Sequence, residues 1–431
     1  MSYKAIVSRI HTRPLPGSDN IVLGTCQGYQ VIVGKNIEDG QLGVFFEAGG
    51  QLSEGFASAN DLVRRKDADG KPAGGYFEPH RRVKAVKMRG AKSEGYWCPL
   101  DSLAYTGANL ENLTEGFEFS DLNGHPICNK YFTPETLRAQ AANGKKSQKE
   151  NIMFAKHIDT TPFKRGMNMI PEGAVIYISE KLHGTSFRYS HVLEESEIEY
   201  RGLMKFVAKW LNLPTTRREW VYLNGSRNVV LEKRAPGAEG YYGKEDFRRH
   251  ATSGIALHKG EVIYGELVGY TETGAPIMSP QSTSGLNDKA VKSRFGDTIT
   301  YRYGAEDGQC KTYIYRITRV NEDGHAVDLS WPQMVNRCRE LGLTPVPLIE
   351  SFIFDGDYEK LAERVSVLTD GESGMDALPS RLDTSHIQEG VVIRYESEHG
   401  TDWLKSKSIT FGLLEGYLKD SDSYVDAEEI A

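Results

Sequence analysis

Lys181 ends an apolar run, Val175-Ile-Tyr-Ile-Ser-Glu-Lys181, and a glycine-containing turn follows at Leu182-His183-Gly184-Thr185. Side chains alternate faces along a strand, so Val175, Tyr177, Ser179 and Lys181 share one side. An ammonium is costly to bury. A lysine placed at the end of such a strand, near other cations, can have its pKa lowered and become a nucleophile. Alone, the segment reads as a surface turn. Its weight comes from the rest of the chain.

Asn224-Gly-Ser226-Arg227-Asn228 puts an arginine in a polar turn. Glu261-Val-Ile-Tyr-Gly265-Glu266-Leu-Val-Gly269 is a strand with Glu266 among apolar residues, and Glu389-Gly390-Val-Val-Ile-Arg is a strand opening on a carboxylate. In Trp403-Leu-Lys405-Ser-Lys407, residues 403, 405 and 407 share one face. Two lysines and an arginine neutralise a triphosphate, and two glutamates orient a hard metal ion through oxygen. Each piece also has a plainer reading as a solvated strand charge.

Taken in order, the pieces resemble the motif series of the covalent nucleotidyltransferases, which include polynucleotide ligases and mRNA capping enzymes. Lys181-Leu-His183-Gly-Thr is similar to the nucleophile motif of ATP-dependent RNA ligases; DNA ligases and capping enzymes usually have Asp where His183 stands. The resemblance implies that Lys181 attacks the α-phosphorus of ATP and holds AMP. It implies that Arg227 contacts a phosphate, and that Glu266 meets the ribose or a metal-ordered water. Tyr313 or Tyr315, in Lys311-Thr-Tyr-Ile-Tyr-Arg, would stack on adenine, and Arg316 stands where the family usually has an acid. Glu389 would bind Mg²⁺ or Mn²⁺, with Glu266 as a second carboxylate. Lys405 and Lys407 would grip the α-phosphate, and Glu180 and His183 would flank the nucleotide. The implied substrate is RNA with 5′-phosphate and 3′-hydroxyl ends, in a nicked duplex. The alternatives are a DNA ligase, a guanylyltransferase or an inactive RNA-binding relative.

The elements that must position these residues suggest an α+β fold. Short runs at Ala5–Ile10, Tyr29–Val33 and Gly43–Phe46, split by turns, read as a small barrel or else a sandwich over 1–130, and the resemblance implies an amino-terminal β-barrel of OB type there. Residues 131–160 read as a linker that begins with a helix at Pro134. Residues 161–420 mix strands with a few helices, and the resemblance implies that they form the adenylyltransferase domain, antiparallel sheets with flanking helices in an ATP-grasp-like ligase fold. Leu203–Leu213 and Trp331–Leu341 have helical spacing there, and 421–431 is an acidic tail. The OB module precedes the lysine domain, an order that favours RNA ligases.

Composition sets limits. The 431 residues carry a net charge of −7, so nucleic acid must be met by local patches. Arg81, Arg82, Lys84, Lys87 and Arg89 form such a patch, with no acid between them. Five scattered cysteines suit neither a disulfide framework nor a cysteine zinc site. Their scatter suits a reduced, intracellular, cytoplasmic compartment, and with no long apolar run no membrane span is expected; the expected state is a monomer.

Overall fold

The structure, a computed structural model, describes residues 3–66, 72–88, 91–134, 136–138, 151–233, 242, 246–286 and 288–415. Arg89, the acidic tail 421–431, and residues 135 and 139–150 of the expected linker lie outside the described residues. The described chain forms two compact units. The first comprises described residues up to 138 with 164–167 and 412–415; the second comprises 151–163 and 168–411.

In the first unit, β1 (Ala5–Arg9), β4 (Leu42–Glu47), β5 (Gly95–Pro99) and the pair Glu118–Phe119 make an antiparallel sheet, with β4 between β1 and β5. A second sheet joins His11–Pro14, β2 (Ile21–Cys26) and β3 (Tyr29–Gly34). Alternation along β4 divides its residues between two cores. Val44 and Phe46 pack with Val7, Leu52, Phe56 and Leu103, while Phe45 packs with Ile10, Tyr29, Val31 and Trp97. A strand buried on both faces lies between two cores, and the described ladders do not close into the single barrel expected for this unit.

Glu94 ties this unit together. Its carboxylate receives Lys164 Nζ at 2.7 Å and the Gln30 amide at 2.9 Å, with Lys92 Nζ at 3.6 Å. Burial raises the acid's pKa, but the two lysines outweigh it and hold the group below its ordinary 4.5. A depressed carboxyl contributes stability that is full above its unfolded pKa and is lost as pH falls through the depressed value. Glu94→Gln is therefore expected to destabilise the protein by roughly 2 kcal/mol at pH 7. It should also flatten the acid limb of stability below about pH 4.5. Denaturant melts between pH 7 and 3 check this; parallel curves for the two proteins would contradict it.

The second unit carries two sheets. β6 (Val175–Lys181), β11 (Leu348–Ile353), β12 (Gly390–Ser397) and β13 (Gly400–Lys407) form one in the order Thr161–Pro162, β13, β12, β6, β11. The other runs β8 (Thr216–Gly225), β7 (Thr185–Glu197), β9 (Glu261–Gly269), β10 (Cys310–Val320) and Ala326–Asp328. Helix α2 (Trp331–Leu341) packs against β10, and α3 (Tyr358–Asp370) against β12 and β13. The ends of α2 are written in its sequence. Ser330 and Gln333 form a capping box, Pro332 sits in the first turn, and Gly342 ends the helix at φ 69°. Helix α1 (Leu203–Trp210) forms where the apolar spacing predicts, yet Leu203, Phe206 and Trp210 stand in solvent.

Candidate active site

Register brings the chemistry together. Lys181 at the end of β6 pairs with Gly390 on β12, and Gly390 pairs with Lys407 on β13. The residue before Gly390 therefore enters between two lysines. Lys181 Nζ donates to Glu389 Oε2 at 2.8 Å, and Lys407 Nζ lies 2.7 Å from Oε1. Glu389 is fully buried, so its charge needs these partners. Gly390 has φ +148°, and a Cβ there would strike the Ser406 carbonyl; no other residue fits. Gly184 lies close against the other sheet, where a Cβ would meet the Leu267 carbonyl and the Glu266 side chain.

A cleft of about 1000 Å³, counting space open to solvent, lies between the two sheets. Lys181, Lys405, Arg227, Glu180 and Glu266 line it, as do Tyr264, Tyr315, Arg316, Trp331, Arg394 and Trp403. Glu266 accepts from Ser186 Oγ at 3.3 Å. Arg227 is paired to Asp159. Glu180, also buried, accepts the Arg381 amide at 2.9 Å, and burial pushes its carboxyl up against that bond and one from Ser380.

The two tyrosines part company at a β-bulge. Tyr264 pairs with Arg316 and Gly265 with Ile314, so Tyr315 is the extra residue on β10. Strict alternation would put Tyr313 and Tyr315 on one face. The bulge leaves Tyr313 buried, its hydroxyl pKa raised by burial, and outside the cleft wall. Tyr315 lines the cleft, and its hydroxyl shares a 2.6 Å hydrogen bond with His157 Nδ1.

His183 does not line the cleft. Its ring meets Tyr301 and Phe411 edge-on, at 4.7 and 4.9 Å between centroids. Nδ1 lies 3.8 Å from Glu389 Oε2, and the His183 amide donates to the Tyr303 hydroxyl at 2.6 Å. The residue therefore braces the Lys181–Glu389 pair from behind.

The basic patch of the first unit is less uniform than its sequence. Arg82 is buried, with its guanidinium 4.7 Å over the Tyr131 ring. Of the patch expected to meet phosphates, Arg82 therefore turns its guanidinium inward onto an aromatic ring. Arg81, at φ +55°, donates to the Leu52 and Pro79 carbonyls and is partly exposed. Lys84 is partly exposed, and burial lowers its pKa. Lys87 lies on the strand Val86–Met88; its side chain and Arg89 lie outside the described residues.

His157, Asp159, Trp331 and Arg394 were not singled out in the sequence. The first two sit in an irregular segment with no periodicity to flag them. Trp331 and Arg394 carry ordinary helix and strand signals. Only pairing across the sheets places them at the cleft.

Two opposed sheets enclose a strand-end lysine, a buried glutamate and a row of cations. The RNA ligase family model matches residues 174–407, more than half of the chain, and the chain belongs to that family of enzymes that join RNA ends. The fold is similar to that of a Naegleria gruberi RNA ligase. A lysine-to-alanine variant of that protein with ATP and Mn is 16% identical, with 94% of this chain and 96% of that chain covered and a TM-score of 0.56. The same protein with pyrophosphate is 15% identical, with 95% and 97% covered and a TM-score of 0.58. No curated protein matches the chain. Among the described residues no helix is long and apolar enough to cross a membrane.

Proposed function

We propose that the second unit, within residues 161–420, adenylates Lys181 with ATP and passes the AMP to RNA. The observation that carries this reading is the Lys181–Glu389–Lys407 cluster at one end of a cation-lined cleft. Lys181 Nζ attacks the α-phosphorus; a P–N bond forms, pyrophosphate leaves, and the amine loses a proton. A 5′-phosphate oxygen then attacks the adenylyl phosphorus, and the lysine leaves with a proton regained. Last, a 3′-hydroxyl attacks the activated 5′-phosphate and AMP departs. In-line displacement needs alignment and charge neutralisation above all. Lys405 and Lys407 supply charge at the α-phosphate, Arg227 at a phosphate, and Glu266 holds the ribose. Tyr315, which lines the cleft, stacks on adenine in this reading.

The donor set suits a hard cation. Among the described residues no cluster of three or more His, Cys, Asp or Glu side chains forms a metal cage. Glu389 and Glu266 offer one or two carboxylates, the provision typical for Mg²⁺ or Mn²⁺ held mainly by phosphate oxygens and water. The ion would neutralise charge that develops on the leaving pyrophosphate.

The first unit, within residues 1–130, is proposed as an OB-like module that holds the strand. Arg81, Lys84 and Lys87 are its phosphate contacts. Replacing these three with glutamine should spare adenylation of Lys181. It should lower the slope of log affinity for RNA against log salt by roughly one for each lost contact. Unchanged slopes would return the patch to a solvated face. The proposed substrate is a nicked RNA duplex, joined by a cytoplasmic monomer. Sealing assays on nicked RNA, nicked DNA and single-stranded RNA test that choice, and adenylation with ATP against GTP tests the nucleotide.

A further inference from the structure

Arg316 stands out because its neighbours hold it so firmly. Its Nε and Nη2 grip Asp328 Oδ1 and Oδ2 at 2.6 and 3.1 Å. The guanidinium carbon lies 4.9 Å from the Tyr264 ring centroid and 5.1 Å from that of Trp403. A cation pinned between two aromatic rings and a bidentate carboxylate has little freedom to turn. Arg316 is nine-tenths buried and lines the cleft. Asp328 takes Nε and Nη2, which leaves Nη1 as the donor with no acceptor of its own among the described residues.

Position along the cleft says what that donor meets. Arg316 pairs with Tyr264, two residues along β9 from Glu266. Trp403, on its other side, lies two residues along β13 from Lys405. Two strand residues advance roughly 6–7 Å. With Lys405 at the α-phosphate and Glu266 at the ribose, that advance reaches the base. The geometry points to Arg316 as a specificity-determining residue that donates Nη1–H to a ring nitrogen of the adenine of ATP. This rests on the nucleotide reading of the cleft. A purine ring nitrogen is an acceptor, and a fixed cationic donor rewards an acceptor at one place on the base. The Asp328 partnership and the two rings act as the mount.

The test measures adenylation of Lys181 in the full chain with ATP and with 1-deaza-, 3-deaza- and 7-deaza-ATP, for the wild type and Arg316→Met. Arg316→Met is expected to raise the KM for ATP about 10–100-fold, the worth of a hydrogen bond to a charged donor. One deaza analogue should lose a similar factor with the wild type and about nothing further with the variant, since both remove the same bond. Arg316→Met strands Asp328, so Arg316→Met/Asp328→Leu removes both charges and keeps the test open if the single variant fails to fold. A thermal melt close to that of the wild type reports the folded state of each. If every analogue changes wild type and variants by the same factors, Arg316 does not read the base and the inference falls. A wild type that labels with no nucleotide at all would instead overturn the adenylation reading, and this inference with it.

Discussion

Lys181→Ala is expected to form no covalent AMP adduct and to join no RNA ends that carry a plain 5′-phosphate. The nucleophile's amine has no understudy. Lys405 and Lys407 lie on β13, and Lys407 is held on Glu389 Oε1. The same variant should still seal pre-adenylated RNA, because that step asks for no attack by lysine. The split is the signature. A fold defect would remove both activities together, whereas loss of the nucleophile removes only the first. Measurement of both reactions on one preparation checks it, and AMP labelling of the alanine variant would contradict it.

The second large effect is expected at Glu389. Its carboxylate is fully buried and holds one lysine on each oxygen. Glu389→Ala leaves two ammonium groups facing each other without a counter-charge, which costs stability as well as activity. Glu389→Gln keeps the shape and an acceptor for Lys181 but removes the negative charge. Adenylation by the glutamine variant should fall on the order of 100-fold or more, with the divalent-ion requirement shifted to higher concentration. A thermal melt close to that of the wild type would separate this loss from unfolding. Full adenylation by Glu389→Gln at ordinary Mg²⁺ would remove Glu389 from the metal's environment.

Much of the site was legible because strands keep their period. Lys181 and Glu389 lie at the ends of strands whose apolar runs are plain in the sequence, Lys407 shares the face of Trp403 and Lys405, and pairing brings Lys181, Gly390 and Lys407 into one cross-strand row. The glycines beside them carry packing meaning that the structure makes explicit, since neither position has room for a Cβ. What stayed hidden breaks the period or depends on distant pairing. The bulge at Tyr315 cannot be seen in Lys311-Thr-Tyr-Ile-Tyr-Arg, and it alone decides which tyrosine enters the cleft. Arg316, Trp403 and Arg394 form one stack, with Arg316 and Arg394 at 5.1 and 5.5 Å from the Trp403 ring centroid. They come from strands on different sheets. In the first unit, the charge run suggested a surface stripe. Backbone at positive φ at Arg81 and a ring at Tyr131 turn Arg82 inward instead. Short strands were likewise visible, but not that β4 would be buried on both faces between two cores.

The most direct test of the account is the mass of the protein after incubation with ATP and Mg²⁺, followed by peptide mapping. The account predicts an increment of one AMP, confined to the peptide that contains Lys181, stable until RNA with a 5′-phosphate is added and then lost. An unmodified protein, or an adduct on any other residue, would contradict it.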